Sequence, residues 1–479
     1  MRLLFVQRED NLRRIRLDKG GAACAPAEGG QRMKRLLALA LALCLLTCAL
    51  PVGAETLQDC HRVTATKKDT TQDNGSVIRL WTLDTALDSV DEELAAISGE
   101  YVSRLGPTLQ KAANKTSKNS RLEVETRYSR TGLTWMSFLV QARVTYHREL
   151  IGQEITSRTF DMTTGERILL TDVFAPDSEG WALLEKAVRE QASAYWPEVE
   201  PDAAALEALC AREALEQLDF TLHGMSLVLH VPAERLYPEK RTLMEITLMY
   251  PEIRSFMTEK AQIETNNLAY YKTCALTFDD GPSRTNTTLT LNSLLEAGVR
   301  ATFFVLGNRI GSYEDLVQRE HDEGNAVASH NWHHGNVSKS SASALRAMVD
   351  KCDSAMIAAI GLPTRYNRVP YGLYPQMIKA KTGWPLIQWS VDTYDWRGRS
   401  TKTVLNTVRE QISDGDIILC HDIKDNTPAS TLAIANDLAE EGFMLLTIDE
   451  LFAKDGVTLE PDTVYFRCVE GDTSIKKRN

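Results

Sequence analysis

The sequence predicts an α/β fold in two parts: a (β/α) barrel, or an incomplete version of one, in the second half, and a smaller α+β unit before it. Two textures predict it. From Cys274 onward the chain repeats a strand, helix and glycine unit, which favours parallel strands joined by helical crossovers. Upstream, alternating runs such as Leu139, Gln141, Arg143 and Tyr146 favour antiparallel strands.

In chain order, residues 1–54 read as an N-terminal extension followed by an export signal. Leu36 to Leu50 is apolar, follows Lys34 and Arg35, and leads to the small residues Val52, Gly53 and Ala54, which places a mature start near Glu55. Met33 would begin a conventional signal by itself. The competing reading is an uncleaved membrane anchor through residues 36–54, although the apolar run is short of the ~20 residues that span a bilayer. Residues 55–85 are polar and read as a stalk. Residues 86–255 form the α+β accessory unit: a helix over Val90 to Ala113, strands between Leu122 and Arg167 with a turn at Gly165, helices over Trp181 to Tyr195 and Ala203 to Leu218, and strands near Leu227 to Val231 and Leu243 to Tyr250. Residues 256–271 read as a linker, 272–455 as the barrel and 456–479 as a tail. Barrel strands are expected at Cys274 to Phe278, Ala301 to Leu306, Ala326 to Ser329, Tyr366 to Val369, Leu386 to Val391, Asp416 to Cys420 and Met444 to Thr447. Gly298, Gly324, Gly361 and Gly442 each follow a helical pattern, as C-terminal caps do.

A chain of 479 residues, 43% hydrophobic and 25% charged, supports two or three cored domains and excludes a single small module. The first 54 residues carry a net charge of +5, leaving −16 for the remainder of a chain whose net charge is −11. Such an acidic product is a poor nucleic-acid binder. Cys60, Cys210, Cys274, Cys352, Cys420 and Cys468 remain after the export segment; their wide spacing describes no compact disulfide framework. Cys420 beside His421 invites a thiol-nucleophile reading, but its apolar strand context favours a small core residue.

The run Thr277, Phe278, Asp279, Asp280, Gly281, Pro282 ends an apolar strand on two carboxylates, one able to hold a metal while the other takes a proton. About 50 residues later His330 and His334 sit four apart and can present two imidazoles to one ion. Together they suggest a metal-assisted hydrolase. Asp279, Asp280, His330, Arg368, Asp392, Asp395 and His421 all fall at or just past the C-terminal end of an expected strand, where barrel enzymes place their chemistry. The bland rival for Asp279 and Asp280 is capping of the helix that begins near Arg284. Trp332 and Trp396 could equally be core aromatics.

On these residues the second half resembles the NodB-like polysaccharide deacetylases of carbohydrate esterase family four. TFDDGP at 277–282 matches the first family motif; His330, Asn331, Trp332, His333, His334 the second; Arg368, Val369, Pro370, Tyr371, Gly372 the third; Asp392, Thr393, Tyr394, Asp395, Trp396 the fourth; and Leu419, Cys420, His421 the fifth. All occur in order over roughly 270–455, and the clear departure is Asn331 where Ser or Thr is common. A specified six-residue run such as TFDDGP arises by chance in about one chain in 100,000 of this length, so the register of five motifs outweighs the capping rival. The resemblance implies a distorted (β/α) barrel of the NodB type and a metal-dependent N-deacetylase. Asp280, His330 and His334 would hold a divalent ion, zinc first, with cobalt, nickel or manganese also suited to two His and one Asp. Asp279 would be the general base, oriented and charge-paired by Arg368; the backbone N–H of Tyr371 would help hold the oxyanion; His421, its pKa raised by Asp395, would protonate the leaving amine; Trp396 and Leu419 would line the acetyl pocket. His333 would point away from the ion.

Residues 60–255 are similar in texture to the extracellular domain of RsiV-like anti-sigma proteins, through Phe160, Asp161, Thr163, Thr164, Gly165, Glu166 and the following Leu169, Leu170, Asp172, Val173 and Phe174. The two resemblances together imply a secreted or cell-surface protein of the bacterial envelope acting on an N-acetylated glycan, most of all peptidoglycan. Rival substrates are chitin oligomers and acetylated xylan. The rival outside enzymes is an inactive glycan-binding sensor.

Overall fold

Alternation of apolar and polar side chains builds the first layer. In the computed structural model, which describes residues 62–113, 120–130 and 132–469, β1 (Thr64–Thr71), β2 (Val77–Asp84), β3 (Ser120–Arg130), β4 (Trp135–Tyr146), β5 (Glu149–Asp161) and β6 (Glu166–Ile168) form one sheet in sequence order. It is antiparallel except where β2 meets β3. Helix α1 (Asp88–Ala113) covers it because Leu94, Ile97, Tyr101, Leu105 and Leu109 recur every three or four residues and pack with Val124, Phe138 and Val140. The polar stretch expected as a stalk over 55–85 therefore contains a strand pair. β1 sits at the sheet edge with its side chains mostly exposed, so it needs backbone partners and β-branched threonines more than apolar ones. The export segment expected at 36–54 lies outside the described residues; among those described, no helix is long and apolar enough to cross a membrane.

A second, three-stranded antiparallel sheet of β7 (Asp219–Leu222), β8 (Ser226–Pro232) and β9 (Leu243–Met249) packs with a helix over Gly180–Ala194. The helix expected over Ala203 to Leu218 is broken into Ala203–Cys210 and Arg212–Leu215, because Ala211 adopts extended backbone between them.

The barrel-like part carries parallel strands β10 (Lys272–Asp279), β11 (Thr302–Val305), β12 (Ala326–Ser329), β14 (Val391–Asp392) and β15 (Asp416–His421) in the order β12-β11-β10-β15-β14, with β16 (Phe443–Leu445) beside the start of β10. Between β12 and β14 the expected strand over Tyr366 to Val369 shrinks to Asn367, which bridges Ser329 on one side and Leu386 on the other. Pro370 has no N–H for a ladder, and Tyr371 turns the chain with φ 60°, so the strand stops there. The expected Leu386 to Val391 strand is two short pieces, β13 (Leu386–Ile387) and β14. β13 pairs with β17 (Val464–Tyr465), so part of the stretch expected as a tail completes the sheet and buries Tyr465 and Cys468. Cys210, Cys274, Cys352, Cys420 and Cys468 are free and buried.

The two halves meet through paired charge. Glu125 on β3 accepts from Arg143 at 2.8 Å and from Arg319 at 3.0 Å and also pairs Arg127. Glu323 answers the same three arginines, at 3.2 Å for Arg143 and 2.8 Å for Arg127. Burial pushes the Glu125 carboxyl up, but the three guanidiniums outweigh it and hold it down at about 2. Such a cluster is tolerated in a core only when every charge is answered, so neither half can withdraw without stranding the other's ions. The expected linker over 256–271 is part of this joint: the Glu264 carboxylate accepts from the backbone N–H groups of Leu133, Thr134 and Trp135 at 2.8–3.2 Å, and the Asn267 amide donates to the Gly224 carbonyl at 2.7 Å.

Gly298 combines two requirements. It caps the helix Asn286–Ala297 with φ 63°, and a Cβ there would lie 2.1 Å from the ring of Tyr128, whose hydroxyl donates to the Glu296 carbonyl. Gly298→Ala is expected to lose ~2 kcal/mol or more from left-handed strain and displacement of Tyr128. Thermal melting checks it, and a variant that melts with the wild type denies the joint.

Candidate active site

The site is assembled at the C-terminal ends of β10, β12 and β15. β10 delivers Asp279 and Asp280 on an apolar strand whose residues Thr273 to Asp279 are all buried. Asp280 turns out of the strand with φ 77°, a conformation Asp tolerates, so the two neighbouring carboxylates diverge. Gly281 follows because a Cβ there would meet the Asp422 carboxylate at 2.5 Å.

Arg368 is wholly buried and fully engaged. Its Nη1 donates to Asp279 Oδ1 at 2.9 Å and to Thr277 Oγ1 at 2.7 Å, its Nη2 to the Gln388 carbonyl at 3.0 Å and its Nε to the Ile387 carbonyl at 3.2 Å. The guanidinium lies 4.0 Å over the Phe304 ring. A side chain with this many anchors has one geometry, and Asp279 inherits it. The Arg368 carbonyl in turn accepts from His330 Nδ1 at 2.7 Å. With its proton on Nδ1, the imidazole presents the Nε2 lone pair to the site.

His330 Nε2 and His334 Nε2 lie 3.4 and 3.2 Å from Asp280 Oδ1, and one ligand atom from each of the three residues falls within 4.8 Å of the others. Asp280 Oδ1 is buried without a hydrogen-bond partner. A converging carboxylate and two imidazoles, one oriented by a backbone carbonyl and the carboxylate oxygen otherwise orphaned, fit a divalent cation. Burial pushes the Asp280 carboxyl up, but the facing imidazoles of His330, His421 and His334 outweigh it and hold it down at about 2. The ring of His334 packs edge-on to Tyr371 at 4.5 Å between centroids.

On the opposite side, His421 Nδ1 lies 2.7 Å from Asp395 Oδ1, and the His421 backbone N–H donates to Asp395 Oδ2 at 2.7 Å. Thr427 Oγ1 and the Trp396 N–H, each at 2.8 Å, complete the carboxylate's partners, and Asp395 is fully buried. Burial alone would lower the imidazole pKa; the Asp395 hydrogen bond and the charges of Asp395, Asp279 and Asp280 outweigh it and raise it to about 8. Trp396 is 45% exposed and Tyr371 64%, so both stand at the rim. Leu419 is buried and alternates on β15 with Ile418 and Cys420, which places it on the strand face that carries Ile417 and His421.

Asp279, Asp280, His330, His334, Arg368, Tyr371, Asp395, Trp396 and His421 therefore fall in three adjoining groups, around Arg368, around Asp280 or around Asp395, while Leu419 is placed by its strand face alone. His333 is exposed and outside the ligand cluster. Trp332 is a half-buried residue packed on the core cluster of Val349 and Cys352. Asp392 caps the loop by accepting from the Tyr394 N–H at 2.8 Å. Cys420 is a core thiol whose pKa burial drives far up.

Three contributors were missed by sequence reasoning. Asn331, noted as a departure, is fully buried at φ 64°, and its Oδ1 accepts from Asn367 Nδ2 at 2.8 Å, so Asn suits the left-handed turn between the two histidines. Thr427 anchors Asp395 from a position no motif marks. Asp422, next after His421, is fully buried, its Oδ2 accepts from Thr287 Oγ1, and burial pushes its carboxyl up to about 7. The only sequence signal for it is the adjacent carboxylate itself.

The family model described as polysaccharide deacetylase matches residues 269–383. A peptidoglycan-N-acetylglucosamine deacetylase of Listeria monocytogenes is 30% identical over 296 residues, 61% of this chain and 64% of that protein. That span is longer than residues 272–479, so the likeness reaches into the accessory part. A peptidoglycan-N-acetylglucosamine deacetylase of Bacillus cereus is 30% identical over 207 residues, 39% of this chain and 75% of that protein, and a chitooligosaccharide deacetylase of Bradyrhizobium is 35% identical over 152 residues, 31% and 69%. The chain thus spans just under two thirds of the length of the Listeria relative.

Proposed function

The chain belongs to the polysaccharide deacetylase family, and we propose that it hydrolyses N-acetyl groups of a cell-wall glycan, peptidoglycan above all, releasing acetate at the surface of a bacterial cell. The observation that carries this reading is the placement of the Asp279–Arg368 pair between an Asp, His, His ligand set and a charged His–Asp pair. Zinc is the proposed ion; once held by Asp280, His330 and His334 it would polarise the acetyl carbonyl and acidify the attacking water.

The chain's own residues supply the rest. Asp279, held by Arg368, takes the proton of the attacking water. The oxyanion of the tetrahedral intermediate accepts from the Tyr371 N–H. His421 donates its proton to the sugar nitrogen as the C–N bond breaks, leaving a free amine and acetate, and Asp395 steadies the charge that His421 carries before the transfer. Trp396 and Leu419 bound the acetyl methyl. The RsiV-like accessory part is proposed to brace the catalytic part at the envelope.

Acetate release from peptidoglycan, with and without chelator and restored zinc, tests the reaction, together with the loss of ~42 Da per modified sugar expected for amide hydrolysis. Release from chitin oligomers or acetylated xylan alone would move the substrate; silence on all three would leave a sensor. The His421 acid is present below its pKa of about 8 and lost above it, so kcat is expected to fall as pH rises through that value. Asp395→Asn removes the raising charge and should move this limb to lower pH; an unmoved limb denies the pair its role.

A further inference from the structure

Beside the His421–Asp395 pair the chain displays cations that acidic side chains do not neutralise. Tyr394 adopts φ 54°, a short 3-10 turn covers Asp395–Arg397, and Gly398 ends it with φ 68°. The turn folds Arg397 over its own neighbours, its guanidinium carbon 4.6 Å from the centre of the Trp396 ring and 4.7 Å from that of Tyr394. The Arg399 guanidinium carbon lies 4.9 Å from the centre of the same Tyr394 ring. The two rings are 6.4 Å apart and tilted by 56°. Asn426 Nδ2 donates to the Arg399 carbonyl at 2.8 Å, tying this turn to the loop that follows His421 and carries Lys424.

Among the described residues the Arg397 guanidinium has no hydrogen bond or ion pair, and the Arg399 guanidinium has one long bond, 3.4 Å to Thr407 Oγ1. The nearby carboxylates are already engaged: Asp395 with His421, Asp392 with the Tyr394 N–H, and Asp425 with the Asn286 amide at 3.0 Å. A guanidinium laid on an aromatic face keeps its N–H edge free for a planar anion and loses little rotamer freedom on binding one. In a chain with a net charge of −11, two such groups beside the proposed acid are a local reversal of sign.

We propose that Arg397 and Arg399 form a carboxylate-reading rim, which selects glycans bearing carboxylates next to the reacting N-acetyl sugar over neutral oligomers. The inference rests on the deacetylase reading. The carboxylate has two alternative sources in peptidoglycan: the lactyl group of a muramic acid that carries no peptide, and, where the peptide is attached and the lactyl carboxyl is an amide, the peptide's own carboxylates.

The test uses the full chain loaded with zinc and three substrates: a neutral N-acetylglucosamine oligomer, a muramic-acid-containing oligosaccharide without peptide, and the same glycan with peptide. Arg397→Gln with Arg399→Gln is expected to raise KM for the acidic substrates about tenfold with kcat little changed, while the neutral oligomer stays within about twofold. Arg397→Lys with Arg399→Lys should recover part of the loss. An effect on the peptide-free oligosaccharide alone assigns the lactyl carboxylate, an effect on the peptide-bearing glycan alone assigns the peptide's carboxylates, and an effect on both shows that the rim reads either anion. Equal losses on neutral and acidic substrates, or no loss, overturn the inference while leaving the deacetylase reading intact. No acetate from any of the three overturns that reading and the inference with it.

Discussion

Asp279→Asn is expected to keep its metal and lower kcat by ~100-fold or more. The substitution is close to isosteric, and the Asn carbonyl oxygen can still accept the bond that Arg368 Nη1 now makes to Asp279 Oδ1 at 2.9 Å. The buried guanidinium therefore keeps a partner, as it also keeps Thr277, Ile387 and Gln388. The amide cannot take a proton from water at neutral pH. Metal content by elemental analysis, thermal melting and acetate release on one preparation separate the outcomes. A folded, metal-loaded variant with near-normal turnover refutes the base.

His330→Ala is expected to abolish stoichiometric metal binding and bring acetate release to background, at least ~100-fold down. His330 contributes twice: its Nε2 to the ligand set with Asp280 and His334, and its Nδ1–H to the Arg368 carbonyl. Truncation also leaves a cavity at a buried position, so His330→Gln serves as the volume-matched companion. Both should melt as one cooperative unit, and chelator should no longer shift their melting, since there is no ion left to remove. An active variant without metal sinks the proposed centre.

How far the site was legible follows from where its residues sit in the chain. Asp279, Asp280, His330, His334, Arg368, Asp395 and His421 lie in short motifs at strand ends, so residue type and register sufficed to nominate them. Asn331, Asp422 and Thr427 act through φ, burial and hydrogen bonds to partners far away in sequence, and none has a pattern of its own. The accessory part was legible where amphipathic periods were strong, as in the helix over Val90 to Ala113, observed as Asp88–Ala113. It was illegible at β1, whose strand character comes from pairing with β2 along eight residues and not from an apolar face.

The sequence by itself determined the local vocabulary: the parallel-strand texture after Cys274, the ligand types for an ion, the acid and base candidates and their chain order. Each is a property of residues a few positions apart. Only the tertiary structure decided that Arg368, expected to pair Asp279, also serves His330 through its carbonyl, that residues 464–465 pair with β13, and that Glu125, Arg143, Arg319 and Glu323 lock the two halves together. Those are contacts across tens to hundreds of residues. Their free energy depends on simultaneous burial and exact pairing of charge, which no periodicity along the chain records.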